Sequence, residues 1–244
     1  MNSQTRIATE TNMLDAEEKS LGLQGKLDDY RAEELRECGW IMFNLGSAAA
    51  DGMARIVGDL SRHLGVPVPG RNKRLIESIR PTLPELAHPA SLSAQYGEGE
   101  LPVHTDFAHL PVPARWLVLG CTDPGGLGTE TLLVDFHGIG WSASQIALLR
   151  SAPFLINNGR QSFYSSILDA SRKFLRFDQG CMRPVTSMSV VAKDTILDAA
   201  CAASPLRVRW KLGDVLVVDN WRVLHGRGSA SADRTRQLWR AAAA

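Results

Sequence analysis

The sequence predicts a mainly β protein: a jelly-roll β-core with helices packed on its outside. Three observations carry this. Beyond Pro67 the chain breaks into short β-rich segments punctuated by glycine and proline, the texture of a barrel or sandwich rather than of alternating β/α units. The helical patterns cluster early or fall singly between strands. No internal repeat and no linker divides the 244 residues, a length that suits one large domain. The expected unit is therefore a single domain over 1–244, with about 1–22 as a flexible or peripheral arm.

Taken in order, the first twenty residues are polar and lack the apolar stretch of a secretory signal. Leu27, Tyr30, Leu35 and Cys38 share one helical face, and Trp40 to Leu45 has the look of a strand. Met53, Ile56, Val57, Leu60 and Leu64 recur at helical spacing, with Ser47 placed to cap that helix. Pro81 to Gly99 is a long polar connection, the kind that often covers a binding site. Strands are expected at Trp116–Cys121, Thr131–Val134, Phe174–Phe177, Val215–Asp219 and Gln237–Arg240. Helices are expected at Ser142–Arg150 and about Lys193–Ala203.

Composition excludes several classes. Lys+Arg number 27 and Asp+Glu 26, a formal charge of +1, so nothing general attracts nucleic acid or an anionic membrane. No apolar run is long enough to span a bilayer. The four cysteines, Cys38, Cys121, Cys181 and Cys201, form no C-x-x-C pair. They argue against a thiolate zinc site and suit a reducing cytoplasm.

The chemistry concentrates in two places. In Pro102-Val103-His104-Thr105-Asp106, extended backbone puts residues i and i+2 on one face. His104 and Asp106 can then offer an imidazole and a carboxylate to one ion. His225, after the apolar run Val215 to Val218, is a plausible third ligand. Two histidines and one carboxylate on one side of a metal leave positions open and suit non-haem iron(II). H-x-D alone recurs by chance, and His63, His88, His109 and His137 are read as surface or core residues. The second place is the C-terminal strand, where alternation puts Arg234, Arg236, Leu238 and Arg240 on one face. Either that face looks inward, where a guanidinium needs an anion such as a carboxylate, or it lies on an exposed edge with its charges in water.

Together these residues resemble the taurine dioxygenase/TfdA (TauD/TfdA) family of iron(II)/2-oxoglutarate oxygenases, in the clavaminate synthase-like group. Val103-His104-Thr105-Asp106-Phe107 is similar to that family's first metal motif. Gly128-Thr129-Glu130-Thr131-Leu132 resembles its threonine segment, and Asp219-Asn220-Trp221-Arg222-Val223-Leu224-His225-Gly226-Arg227 its distal motif. The resemblance implies a double-stranded β-helix core. It implies iron(II) on His104, Asp106 and His225, with 2-oxoglutarate held at its far carboxylate by Arg236 and Thr131. O2 and a small, carboxylate-bearing substrate, amino acid-like or tethered to a carrier protein, would complete the reaction. Arg240 matches an arginine that meets an anionic substrate group in some relatives. Read from the sequence itself, Arg160, Gln161, Phe163 and Tyr164 form a polar-aromatic cluster that either faces substrate or is ordinary surface and core. The implied reaction is hydroxylation of an unactivated C–H bond with release of succinate and CO2. Related halogenases replace the carboxylate ligand with a small residue; Asp106 favours hydroxylation, with desaturation or cyclisation open. Two other readings are a cupin-like isomerase or hydrolase using zinc or manganese, and a non-catalytic jelly-roll that binds a ligand.

Overall fold

The computed structural model describes residues 32–70, 72–89, 91–126, 128–157, 161–171, 174–230 and 235–244. The N-terminal arm, Leu27, Tyr30, Arg160 and Arg234 lie outside them.

Two antiparallel sheets face each other. The major sheet has the order β1-β10-β4-β12-β2, built from β1 (Trp40–Asn44), β2 (Ile76–Ile79), β4 (Trp116–Asp123), β10 (Asp214–Asp219) and β12 (Gln237–Ala243). The minor sheet has the order β3-β11-β5-β9, from β3 (Leu101–His104), β5 (Thr131–Asp135), β9 (Leu206–Val208) and β11 (Val223–Arg227). A third small sheet, β7-β6-β8, joins β6 (Phe154–Asn157), β7 (Ser162–Ser165) and β8 (Met182–Pro184). This is the double-stranded β-helix expected from the sequence.

Strand alternation sorts the core into layers. Leu117, Leu119 and Cys121 of β4 point between the sheets and pack with Leu216, Val218, Leu133, Val223 and Leu238. Val118, Val215 and Val217 point the other way, against Met53, Val57 and Leu60. These last three sit on the helix Met53–Leu64 (α2), which follows a short helix Ala32–Cys38 (α1). Gly120 lets α2 approach: a Cβ there would lie 2.3 Å from Met53 Sδ and 2.7 Å from Val57 Cγ2. On the far side of the minor sheet, Val134 and Leu224 pack with Leu149, Phe154 and Ile196. Short helix Leu92–Tyr96 (α3) precedes β3, while Ala143–Ser151 (α4) and Ser187–Ala202 (α5) cover that outer layer. Ser142 and Thr186 each close a capping box.

Four local expectations change. Ser47 opens a 3-10 turn, Ser47–Gly52, and α2 begins after it with Gly52 at its cap. Cys38 is exposed although Leu35 beside it is buried, because the helix ends at Cys38 and the chain turns at Gly39, whose φ is 78°. Phe174–Phe177 forms no regular strand; its backbone pairs with separate partners, Leu175 N–H with Trp221 O and Thr105 N–H with Phe177 O. Helix α5 starts at Ser187, earlier than its apolar pattern, because the Thr186 cap sets its start.

Candidate active site

His104 is the last residue of β3 and lies directly opposite His225 on β11. Paired residues share a face, and the rings meet with centroids 4.5 Å apart. His225 shares its face with Val223, two residues earlier, which packs between the sheets. The imidazoles therefore point into the barrel. Asp106 lies past the end of β3 rather than on it, in the turn where Phe107 takes a φ of 60°. The intervening Thr105 is fully buried and turns its hydroxyl to the Phe177 N–H at 3.2 Å. His225 belongs to its own strand in the minor sheet, not to the end of Val215–Val218, which is in the major sheet.

The Asp106 carboxylate reaches both rings, Oδ1 at 3.7 Å from His104 Nε2 and Oδ2 at 3.7 Å from His225 Nε2. The three ligand-type atoms lie within 4.8 Å of one another. His104 Nδ1 lies 2.9 Å from the Pro102 carbonyl. A carbonyl only accepts, so Nδ1 carries the proton and Nε2 keeps its lone pair for an ion. His225 Nδ1 is buried with no hydrogen-bond partner among the described residues. Burial opposes charge on His104, but the Asp106 carboxylate outweighs it and raises the pKa. On His225 burial prevails, reinforced by His104, and the pKa falls. Burial also pushes the Asp106 carboxyl up, yet Arg240 and the two imidazoles hold it well below the usual carboxylate range. A permanently ionised carboxylate beside two imidazoles fits a divalent cation.

Asp106 is held from two directions. Asn220 grips its backbone: Oδ1 accepts from the Asp106 N–H at 2.9 Å, while Nδ2 donates to Asp106 O at 2.9 Å and Ala114 O at 2.7 Å. Arg240 holds its side chain, Nη1 donating to Oδ2 at 2.8 Å, and gives Nη2 to Glu77 Oε2 at 2.6 Å. Strand pairing places Glu77 opposite Arg240.

The rest of the distal motif is scaffolding that sequence reasoning missed. Asp219 pairs with Arg115 at 3.1 Å. Trp221 donates its indole N–H to Pro113 O at 2.8 Å. Arg222 forms a bidentate pair with Asp135 at 2.7 and 2.6 Å. Arg227 donates to Gly97 O and Gly99 O, both at 2.7 Å, and so anchors the end of the Pro81–Gly99 connection. A Cβ on Gly226 would sit 2.8 Å from Leu101 O, so glycine lets β3 and β11 close up at the metal ligands. Nearby, fully buried Arg176 donates to the carbonyls of Ala108, Leu110 and Pro111 and fixes the segment after Asp106. Burial lowers its pKa to about 10.

The arginine strand faces inward. Arg236 is buried just before β12, and its Nη2 donates to Thr131 Oγ1 at 3.2 Å. Thr131 is buried at the start of β5, two residues from Leu133, the residue opposite His225. It therefore shares His225's face, one step of about 7 Å along the strand. Trp210, unremarked in the sequence, donates its indole N–H to the same Thr131 oxygen at 2.9 Å.

A cleft of about 410 Å³ opens beside the triad, lined by His104, Asp106, Arg240, Glu77 and Asp178. The Pro81–Gly99 connection forms one wall through Thr82, Leu86 and Ser91. His88 and His109, set aside on sequence grounds, also line it. Gln161, Phe163 and Tyr164 do not: Phe163 and Tyr164 lie on β7 in the small sheet, where Tyr164 is exposed and Phe163 lies against Arg176. No helix among the described residues is long and apolar enough to cross a membrane.

Residues 156–242 match the family model described as Taurine catabolism dioxygenase TauD, TfdA family. That span contains His225, Arg236 and Arg240, and leaves out His104, Asp106 and Thr131. No curated protein matches the sequence. Among solved structures, asparagine oxygenase in complex with Fe(II), 2S,3S-3-hydroxyasparagine and succinate superposes with a TM-score of 0.72 at 18% identity. The match covers 91% of this chain and 79% of that one. The non-heme iron oxygenase OrfP with Fe and alpha-ketoglutaric acid gives a TM-score of 0.61 at 21% identity, over 78% of this chain and 63% of that one. OrfP with Fe, succinate and (3S)-hydroxy-L-Arg gives 0.62 at 20% identity, over 78% and 65%. Residues 156–242 thus resemble the family described as Taurine catabolism dioxygenase TauD, TfdA, and the chain as a whole shares the double-stranded β-helix fold of these solved structures.

Proposed function

We propose that this protein is a single-domain iron(II)/2-oxoglutarate oxygenase that hydroxylates an unactivated C–H bond of a small amino acid-like substrate, releasing succinate and CO2. The observation that carries the reading is the pairing of two sites on one sheet face. A His-Asp-His cluster lies within 4.8 Å, and one strand step away a buried arginine donates to a buried threonine. His104, Asp106 and His225 would hold iron(II), which with O2 and 2-oxoglutarate supplies the oxidising chemistry. Arg236 and Thr131 would hold the far carboxylate of 2-oxoglutarate. An inward arginine strand has no evident use in a zinc hydrolase, and the three intact metal-ligand residues weigh against a ligand-binding relic.

The cleft supports the substrate class. Its volume of about 410 Å³ suits a small molecule. Beside Asp106 it presents a cation and an anion side by side, Arg240 and Glu77, 2.6 Å apart. A zwitterionic amino acid can replace that contact, its carboxylate going to Arg240 and its ammonium to Glu77 or to Asp178, which also lines the cleft. The amino acid products named in the asparagine oxygenase and OrfP complexes accord with this. A carrier-tethered acyl group is the variant in which only one of the two charges is met. Arg160, outside the described residues, is retained as a candidate substrate contact on the sequence cluster alone. All four cysteines are free, which accords with a reducing cytoplasm.

Anaerobic addition of Fe(II) and 2-oxoglutarate should produce a weak visible charge-transfer band. Amino acids should then be screened for succinate release. The band should vanish in Asp106→Ala and His225→Ala. Its absence in the wild-type protein, with no turnover, would end the proposal.

A further inference from the structure

Thr131 is held in an unusual hydrogen-bonding state. A hydroxyl oxygen has two lone pairs and one proton. Trp210 Nε1 donates to Thr131 Oγ1 at 2.9 Å and Arg236 Nη2 donates to it at 3.2 Å, so both lone pairs are taken. The hydroxyl is left able only to donate. It is buried, and both of its hydrogen bonds to described residues are ones it accepts. A buried donor without an acceptor costs about 1–3 kcal/mol, so this geometry asks for an acceptor that the described residues do not supply.

The indole is fixed where it can do this. Trp210 is buried two residues past Val208, the β9 residue paired with Thr131. Its ring packs in the layer between the sheets with Leu133, Leu216 and Leu238. Indole N–H is donor-only, so the contact has one polarity. A histidine or tyrosine at this position could accept and let the threonine proton turn back toward it.

We propose that Trp210 is a positioning residue for co-substrate binding: by occupying one lone pair of Thr131, it commits the threonine hydroxyl to donate to the far carboxylate of 2-oxoglutarate. The proposal rests on the oxygenase reading above, and it adds a residue that touches neither the metal site nor the co-substrate.

The test uses the full chain with Fe(II), without O2, and two probes. 2-Oxoglutarate carries both the chelating group and the far carboxylate; 2-oxobutanoate carries only the first. Trp210→Phe should weaken 2-oxoglutarate about three- to tenfold, the worth of one hydrogen bond, and leave 2-oxobutanoate unchanged. In a Thr131→Val background the same substitution should cost nothing further. Equal weakening of both probes, unchanged 2-oxoglutarate binding, or a penalty that persists in Thr131→Val would each overturn the assignment. Should Trp210→Phe not fold, the wild-type protein with diamagnetic Zn(II) gives the answer. The Trp210 indole ¹H–¹⁵N resonance should move with 2-oxoglutarate and not with 2-oxobutanoate; a resonance indifferent to both overturns it. Wild-type protein that binds neither probe refutes the oxygenase reading itself, and this assignment with it.

Discussion

Replacing Asn220 by alanine isolates the part of the site that holds a metal ligand without touching metal. Asn220 is 1% exposed and its amide makes three hydrogen bonds, at 2.9, 2.9 and 2.7 Å, two of them to the backbone of Asp106. Each is worth about 1 kcal/mol net, and stranding the buried partners adds a desolvation penalty. Asn220→Ala should therefore lose about 3–5 kcal/mol, a large part of the 5–15 kcal/mol typical of a domain. Asn220→Asp keeps the acceptor for the Asp106 N–H but cannot donate to the two carbonyls, so it rescues little. The side chain of Asp106 would lose its fixed origin, and loosened support of a ligand commonly costs 10- to 100-fold in metal affinity. Urea unfolding measures the first effect, and Co(II) titration at low denaturant the second. A loss under about 1 kcal/mol with unchanged Co(II) affinity would refute the view that Asn220 sets the position of Asp106.

Three further outcomes are expected of this packing and charge arrangement. Gly120→Ala should destabilise by about 1–3 kcal/mol through overpacking, since its Cβ would meet Met53 Sδ at 2.3 Å; Met53→Ala in the same chain should recover part of this in urea unfolding. A thiol reagent at pH 8 should find two fast cysteines, the exposed Cys38 and Cys201, and two slow ones. Burial pushes the Cys121 thiol up to about 12, so fast labelling of Cys121 in the native state, located by peptide mapping, would contradict the packing of β4. Arg209 and Arg207 hold the Glu130 carboxyl below its usual range. A depressed folded pKa gives stability that is present above the unfolded value near 4.3 and lost as pH falls through the folded one. Between pH 5 and pH 3 the urea midpoint should thus fall less in Glu130→Gln than in wild type, and 1 M salt should shrink the difference.

How much of this was legible in the sequence depended on how far each interaction reaches along the chain. The short unbroken apolar run Trp116–Cys121 is legible as a strand buried on both faces, because its length and composition are local properties of the chain. The capped helix from Ser142 was readable for the same reason. His104, Asp106, His225, Thr131 and Arg236 could be singled out because their residue types and motif spacing are themselves the signal. Other positions were misread for want of neighbours. Phe174–Phe177 looks like a strand by composition, yet its backbone is parcelled out to Trp221, Ile167 and Thr105. The Phe163–Tyr164 pair looks like pocket lining and lies in the third sheet.

The sequence by itself thus determined the layered β-core and the residue types of the site. Only the tertiary structure decided that His104 and His225 face each other across two strands, 121 positions apart. It also decided that Arg240 faces Glu77, that Trp210 takes a lone pair of Thr131, and that Asn220 grips Asp106. Periodicity encodes which face a side chain occupies, but not which distant strand lies against it. A hydrogen bond is made at about 3 Å, and that precision exists only once the sheets have closed.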